Sequence, residues 1–129
     1  MSKMTVTAPL GPIPVGPYSH AVVANGMVFA SGMVGLVPAT KKLAPGGIEA
    51  QTAQALENLR AVLEASGSGL DSVVKTTVFM TNLNDFTTMN GVYATYFWRN
   101  QPARSTVQVA ALPLGALVEI EAIAVLSSD

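Results

Sequence analysis

From Ile48 to Ala65 the apolar side chains recur at three- and four-residue steps: Ile48, Ala55, Leu56, Leu59, Val62 and Leu63, with Thr52 in register. Glu49, Gln54, Glu57, Arg60 and Glu64 take the other side. That period belongs to an amphipathic helix with one buried face, and Gly67 suits the left-handed residue that ends it. Such a helix does not stand alone in water, because its stability comes from covering the stripe. Its neighbours in the chain are β-branched rather than helical, so the cover is a sheet and the fold class is α+β.

The strands follow from shorter signals. Asn25-Gly26 divides two apolar runs, a strong hairpin signal, and places strands at about Ser19–Ala24 and Met27–Gly32. Val37 to Gly47 holds two prolines, two lysines and a Gly46-Gly47 pair and reads as a loop. Val73–Met80 is a strand. A second helix runs from about Asp85 to Trp98, with Phe86, Met89, Tyr93 and Phe97 along one stripe, and Gln101-Pro102 breaks it. Strands at about Ser105–Ala110 and Leu117–Leu126 close the chain, and the proline-rich stretch Thr7–Pro17 is an irregular lead-in. The order β-β-α-β-α-β-β gives a mixed sheet with two helices packed on one face, expected as a single domain over residues 1–129.

The other face needs its own cover, and here composition bears on the argument. Only 12% of the 129 residues are charged, against roughly 25% in soluble domains, and the mean hydropathy is +0.42. A membrane span would need ~18 continuous apolar residues, whereas the best run, Ala116 to Leu126, is cut by Glu119 and Glu121. Prolines interrupt any secretory signal core in the lead-in. A cytoplasmic, self-associating protein is therefore expected, with no membrane contact. The chain has no cysteine and one histidine, which excludes disulfides, thiolate nucleophiles, zinc–thiolate sites and multi-histidine metal sites. Seven basic residues spread along a chain of net charge −1 form no stripe to track phosphates, so nucleic acid is not an expected partner.

Two charged positions stand where strands should be apolar. Glu119 and Glu121 fall on the same side of the last strand, a side shared with Leu117, Ile123 and Val125. This is either a solvated sheet face or a pocket wall with carboxylates at its centre. Arg104 heads the run Arg104 to Val109 after Pro102-Ala103. Its planar fork suits a carboxylate or phosphate ligand, or else a structural ion pair with Glu119 or Glu121. Ser19-His20 makes no hydrolytic pair, since neighbours on a strand point to opposite faces. Gly46-Gly47 has no lysine-serine signature behind it and reads as plain loop.

Taken together, Gly16-Pro17-Tyr18-Ser19, Ser31-Gly32, Pro102-Ala103-Arg104-Ser105 and Glu119-Ile120-Glu121-Ala122 resemble the Rid (YjgF) family, in its RidA-type enamine/imine deaminase branch. The likeness extends through Ile48–Val78 and Leu83-Asn84-Asp85-Phe86 with Asn90 and Tyr93, and covers about Val15 to Leu126. It implies a chorismate-mutase-like subunit, a homotrimer with clefts between subunits, and hydrolysis of 2-aminoacrylate, 2-iminopropanoate and 2-iminobutanoate to 2-keto acids and ammonia without cofactor or metal. It also implies that Arg104 clamps the substrate carboxylate, that Glu119 activates water, and that Tyr18, Ser31, Gly32, Asn90 and Thr106 shape the pocket. Thr106 stands where some members carry cysteine. Met33, His20 and Gln101 depart from the family's usual residues, each beside a motif rather than in it. Family members described as translation-inhibiting endoribonucleases, and a non-catalytic carboxylate-binding or chaperone-like trimer, are the alternative readings.

Overall fold

The structure, a computed structural model, describes residues 2–127, so Met1, Ser128 and Asp129 of the expected domain lie outside the described residues. Six strands form one sheet in the order β1-β2-β3-β8-β6-β7: β1 Met4–Val6, β2 Ala21–Ala24, β3 Met27–Val34, β6 Val73–Met80, β7 Ala103–Gln108 and β8 Val118–Val125. β4 Leu36–Val37 and β5 Lys42–Leu43 make a separate small hairpin inside the expected loop. All pairings in the main sheet are antiparallel except β6 with β7. Helices α1 Gly47–Ala65 and α2 Phe86–Tyr96 cover one face.

Local chemistry explains most of these boundaries. Asn25 (φ 56°) and Gly26 (φ 76°) are both left-handed, the backbone of the tight turn whose twist matches its strands. Gly67 (φ 86°) follows the Ser66 cap of α1. Helix α2 is shorter than expected: a 3-10 turn at Leu83–Asp85 precedes it, and Phe97 (φ −118°, ψ 72°) leaves helical geometry. β7 begins earlier than expected, at Ala103, because Ala103 already pairs with Lys75. β1 lies N-terminal to the lead-in and pairs its three residues with β2.

The core lies between α1 and the sheet. Thr52, Ala55, Leu56, Leu59, Val62 and Leu63 are sealed against Val28, Val78, Val118, Ile120 and Ala124. Each large aliphatic side chain so buried contributes about 1.5–3 kcal/mol. Two polar residues of α1 also point inward. Asn58 Nδ2 donates to the carbonyls of Val34 (3.0 Å) and Leu36 (2.8 Å), and Gln51 Oε1 accepts from the Leu117 N–H (2.9 Å). These bonds fix the end of β3 and the entry to β8, the strands that carry Gly32 and Glu119.

Between Ala30 and Met33 the pairing with β8 shifts, so Ser31 and Gly32 together face one partner residue. This bulge lets Ala30 and Met33, three residues apart, both point into the core. The opposite sheet face is not covered by the described residues. Phe29, Val107 and Val125 are 44%, 42% and 40% exposed there, beside half-buried Phe79 and Ile123.

Candidate active site

Glu119 and Glu121 project from β8 onto the uncovered face, where a cavity of about 430 Å³ opens. Tyr18, Ser31, Gly32 and Glu119 line it. The bulge brings Ser31 to the lead-in: its Oγ donates to the Ser19 carbonyl (2.7 Å) and its N–H to the His20 carbonyl (2.9 Å). Gly32 lies under the Glu119 side chain, and a Cβ there would stand 2.8 Å from the carboxyl carbon. Glycine is therefore what lets the carboxylate lie across the strand. Burial, and secondarily the nearby charge of Glu121, raises the Glu119 pKa above the ordinary carboxylate value.

The rest of the cavity wall comes from the lead-in. Pro12, Ile13 and Val15 face the carboxylates together with Leu114, a non-glycine residue held at φ 62°. His20 anchors this wall. It is buried, its Nδ1 accepts from the Ala8 N–H (2.8 Å), and its Nε2 donates to the Pro12 carbonyl. Both ring nitrogens are thus spent on backbone, as befits a packing residue. Met33 is buried in the core beside the cavity, and Gln101 is exposed.

Arg104 is elsewhere. It pairs in register with Thr76 of β6, which in turn pairs with Ala122 of β8, and these side chains share the helix-covered face. Glu119 is in register with Phe79 and faces the other way. Strand β6 intervenes, so the two backbones are ~10 Å apart across the sheet. The ion pair with Glu119 or Glu121 that the sequence left open is absent among the described residues, where the one salt bridge joins Arg60 to Glu57 (3.1 Å) on the outer side of α1. The Arg104 guanidinium lies instead over the rings of Tyr93 (4.7 Å) and Phe86 (5.6 Å). Thr106, two residues on, is half-buried on the same face, and Asn90 sits between Phe86 and Tyr93 on α2.

The expected site residues thus fall into two groups: Tyr18, Ser31, Gly32 and Glu119 line one cavity, whereas Arg104, with Thr106 on the same strand face, lies against the α2 side that carries Phe86 and Tyr93. Reading the sequence missed the lead-in as a cavity wall, because proline spacing signals irregularity but not direction. Of the α2 stripe, Met89, Tyr93 and Phe97 are core, whereas Phe86 at its start is 39% exposed.

Residues 9–126 match the family described as Endoribonuclease L-PSP. The mouse 2-iminobutanoate/2-iminopropanoate deaminase is 47% identical over 95% of this chain and 91% of its own length. Reactive Intermediate Deaminase A, chloroplastic, of Arabidopsis thaliana is 50% identical, covering 98% of this chain and 67% of that protein. Among solved structures, E. coli TdcF with bound serine superposes with a TM-score of 0.90 at 41% identity, over 96% of this chain and 99% of that one. The chain belongs to the endoribonuclease L-PSP family, the YjgF or Rid family.

Proposed function

We propose that the chain is a 2-iminobutanoate/2-iminopropanoate deaminase working as a cytoplasmic homotrimer, with Arg104 of one protomer closing the Glu119 cavity of the next. The observation that carries the reading is an arginine without an acid partner among the described residues and a half-buried carboxyl whose pKa burial raises, in a chain with relatives named 2-iminobutanoate/2-iminopropanoate deaminase. The two groups face opposite sides of one sheet, so a shared cleft is the arrangement that lets both reach one small substrate. The apolar open face supports assembly. No helix among the described residues is long and apolar enough to cross a membrane.

The chemistry suits these groups. A 2-imino acid has an electrophilic carbon beside a carboxylate. Arg104 binds that carboxylate through two parallel N–H bonds and shields Glu119 from its charge. Ionised Glu119 takes a proton from water as the oxygen attacks the carbon of the protonated imine, giving a neutral carbinolamine. The same carboxyl then returns the proton to nitrogen and, as the C–N bond breaks and the carbonyl forms, takes the hydroxyl proton; that proton passes to the departing ammonia, which leaves as ammonium with Glu119 ionised again. A pKa raised by burial brings this acid–base group closer to neutral pH.

The test is release of 2-oxobutanoate when a threonine dehydratase supplies the imine in situ. The wild-type protein accelerates release, and Arg104→Ala and Glu119→Gln each reduce the acceleration by about 100-fold or more. Undiminished acceleration by Arg104→Ala contradicts the assignment. RNA cleavage finds less support, since seven basic residues at net charge −1 offer little for a polyanion.

A further inference from the structure

We propose that Phe86 and Tyr93 are positioning residues that hold the Arg104 guanidinium over their ring faces, so that N–H donors no carboxylate occupies remain for a substrate carboxylate. The inference rests on the reading of Arg104 as the carboxylate clamp and deepens it.

A guanidinium can be held in two ways. A carboxylate binds it in the plane, through the N–H fork, and uses up both the charge and the donors. An aromatic ring binds it from above or below, through the ring's negative face, and leaves the in-plane donors unspent. Arg104 lies over two such rings; burial raises the pKa of the Tyr93 hydroxyl, and the adjacent guanidinium, through its charge and an N–H, acts to lower it. The guanidinium carbon is 4.7 Å from the Tyr93 ring centre and 5.6 Å from that of Phe86. Among the described residues no acid pairs with it.

The two rings differ in how firmly they are set. Tyr93 is 6% exposed; its hydroxyl shares a 2.7 Å hydrogen bond with Thr76 Oγ1, and its ring packs on Phe97 at 4.7 Å. Thr76 is the residue of β6 in register with Arg104 on β7. The platform is therefore tied to the backbone position it serves. Phe86 is 39% exposed, near the start of α2, and forms the outer contact. β7 pairs with β6 at the edge of the sheet, where a long side chain would otherwise sweep through solvent. Fixing it beforehand removes an ordering cost from substrate binding.

Phe86→Leu tests this without disturbing the core. The readouts are KM and kcat in the dehydratase-coupled assay and the Kd of 2-oxobutanoate measured calorimetrically on the assembled protein. Loss of the outer ring raises KM and Kd about tenfold, with kcat within about twofold, and Phe86→Tyr restores both. An unchanged KM and Kd in Phe86→Leu, or a fall in kcat alone, overturns the cradle while leaving the clamp intact. A wild-type protein that neither binds 2-oxobutanoate nor accelerates imine hydrolysis overturns the clamp and the cradle together. Phe86→Leu should match the wild type in melting temperature and assembly, so a weaker KM reads positioning and not unfolding.

Discussion

A methyl group on Gly32 would meet the Glu119 carboxyl at 2.8 Å, and the atom it meets is the free end of a flexible side chain. Gly32→Ala therefore has a lopsided effect: the backbone tolerates it and the carboxylate moves. We expect a melting temperature within a few degrees of wild type, and about tenfold or greater loss of imine hydrolysis, since misplacing a reacting group is costly. Glu119 itself predicts a stability signature. Its folded pKa lies above the ordinary value near 4.3. Between those two values the folded state keeps a proton that the unfolded state has lost, so stability falls as pH rises through that window and stays lower above it. Glu119→Gln should then melt higher than wild type at pH 7–8, and the difference should vanish below about pH 4, as thermal unfolding across pH would report. At this scale the motif residues were legible in the sequence. The need for glycine at position 32 was not, because it depends on a side chain reaching across from another strand.

Among the elements, α1 was legible almost to the residue, since its stripe, its polar side and Gly67 all agree. Its inward polar bonds were not, because Asn58 carries no period. Asn58→Ala leaves the carbonyls of Val34 and Leu36 without a buried donor and frees the end of β3. We expect it to cost about 2–4 kcal/mol in urea unfolding, far more than an exposed α1 substitution such as Glu64→Ala. The hairpin at Asn25-Gly26 was equally clear. β1, β4 and β5 were missed because two or three residues are too few to show alternation, and they exist through their pairings. The early start of β7 has the same origin. It matters more, since it seats Arg104 inside the strand, in register with Thr76, and so sends its side chain to the α2 face.

The whole molecule has a sheet finished on one side only. The scarcity of charge points to this independently of where the strands lie: a chain with 12% charged residues has apolar area to hide. The uncovered face around Phe29, Val107 and Val125 is where that area lies. The sequence also marked Arg104, Glu119 and Glu121 as charges needing explanation, but it could not tell that they diverge, because facing depends on register across three strands. That divergence makes the shared cleft the central claim. Its most direct test is complementation between Arg104→Ala and Glu119→Gln, each inactive alone, after subunits are exchanged at equal amounts. In a trimer with shared sites, every mixed assembly contains one cleft with both residues intact, so about a quarter of wild-type imine hydrolysis returns. If mixing restores nothing although mass measurement shows mixed trimers, Arg104 and Glu119 do not meet across a subunit boundary, and the site proposed here is wrong.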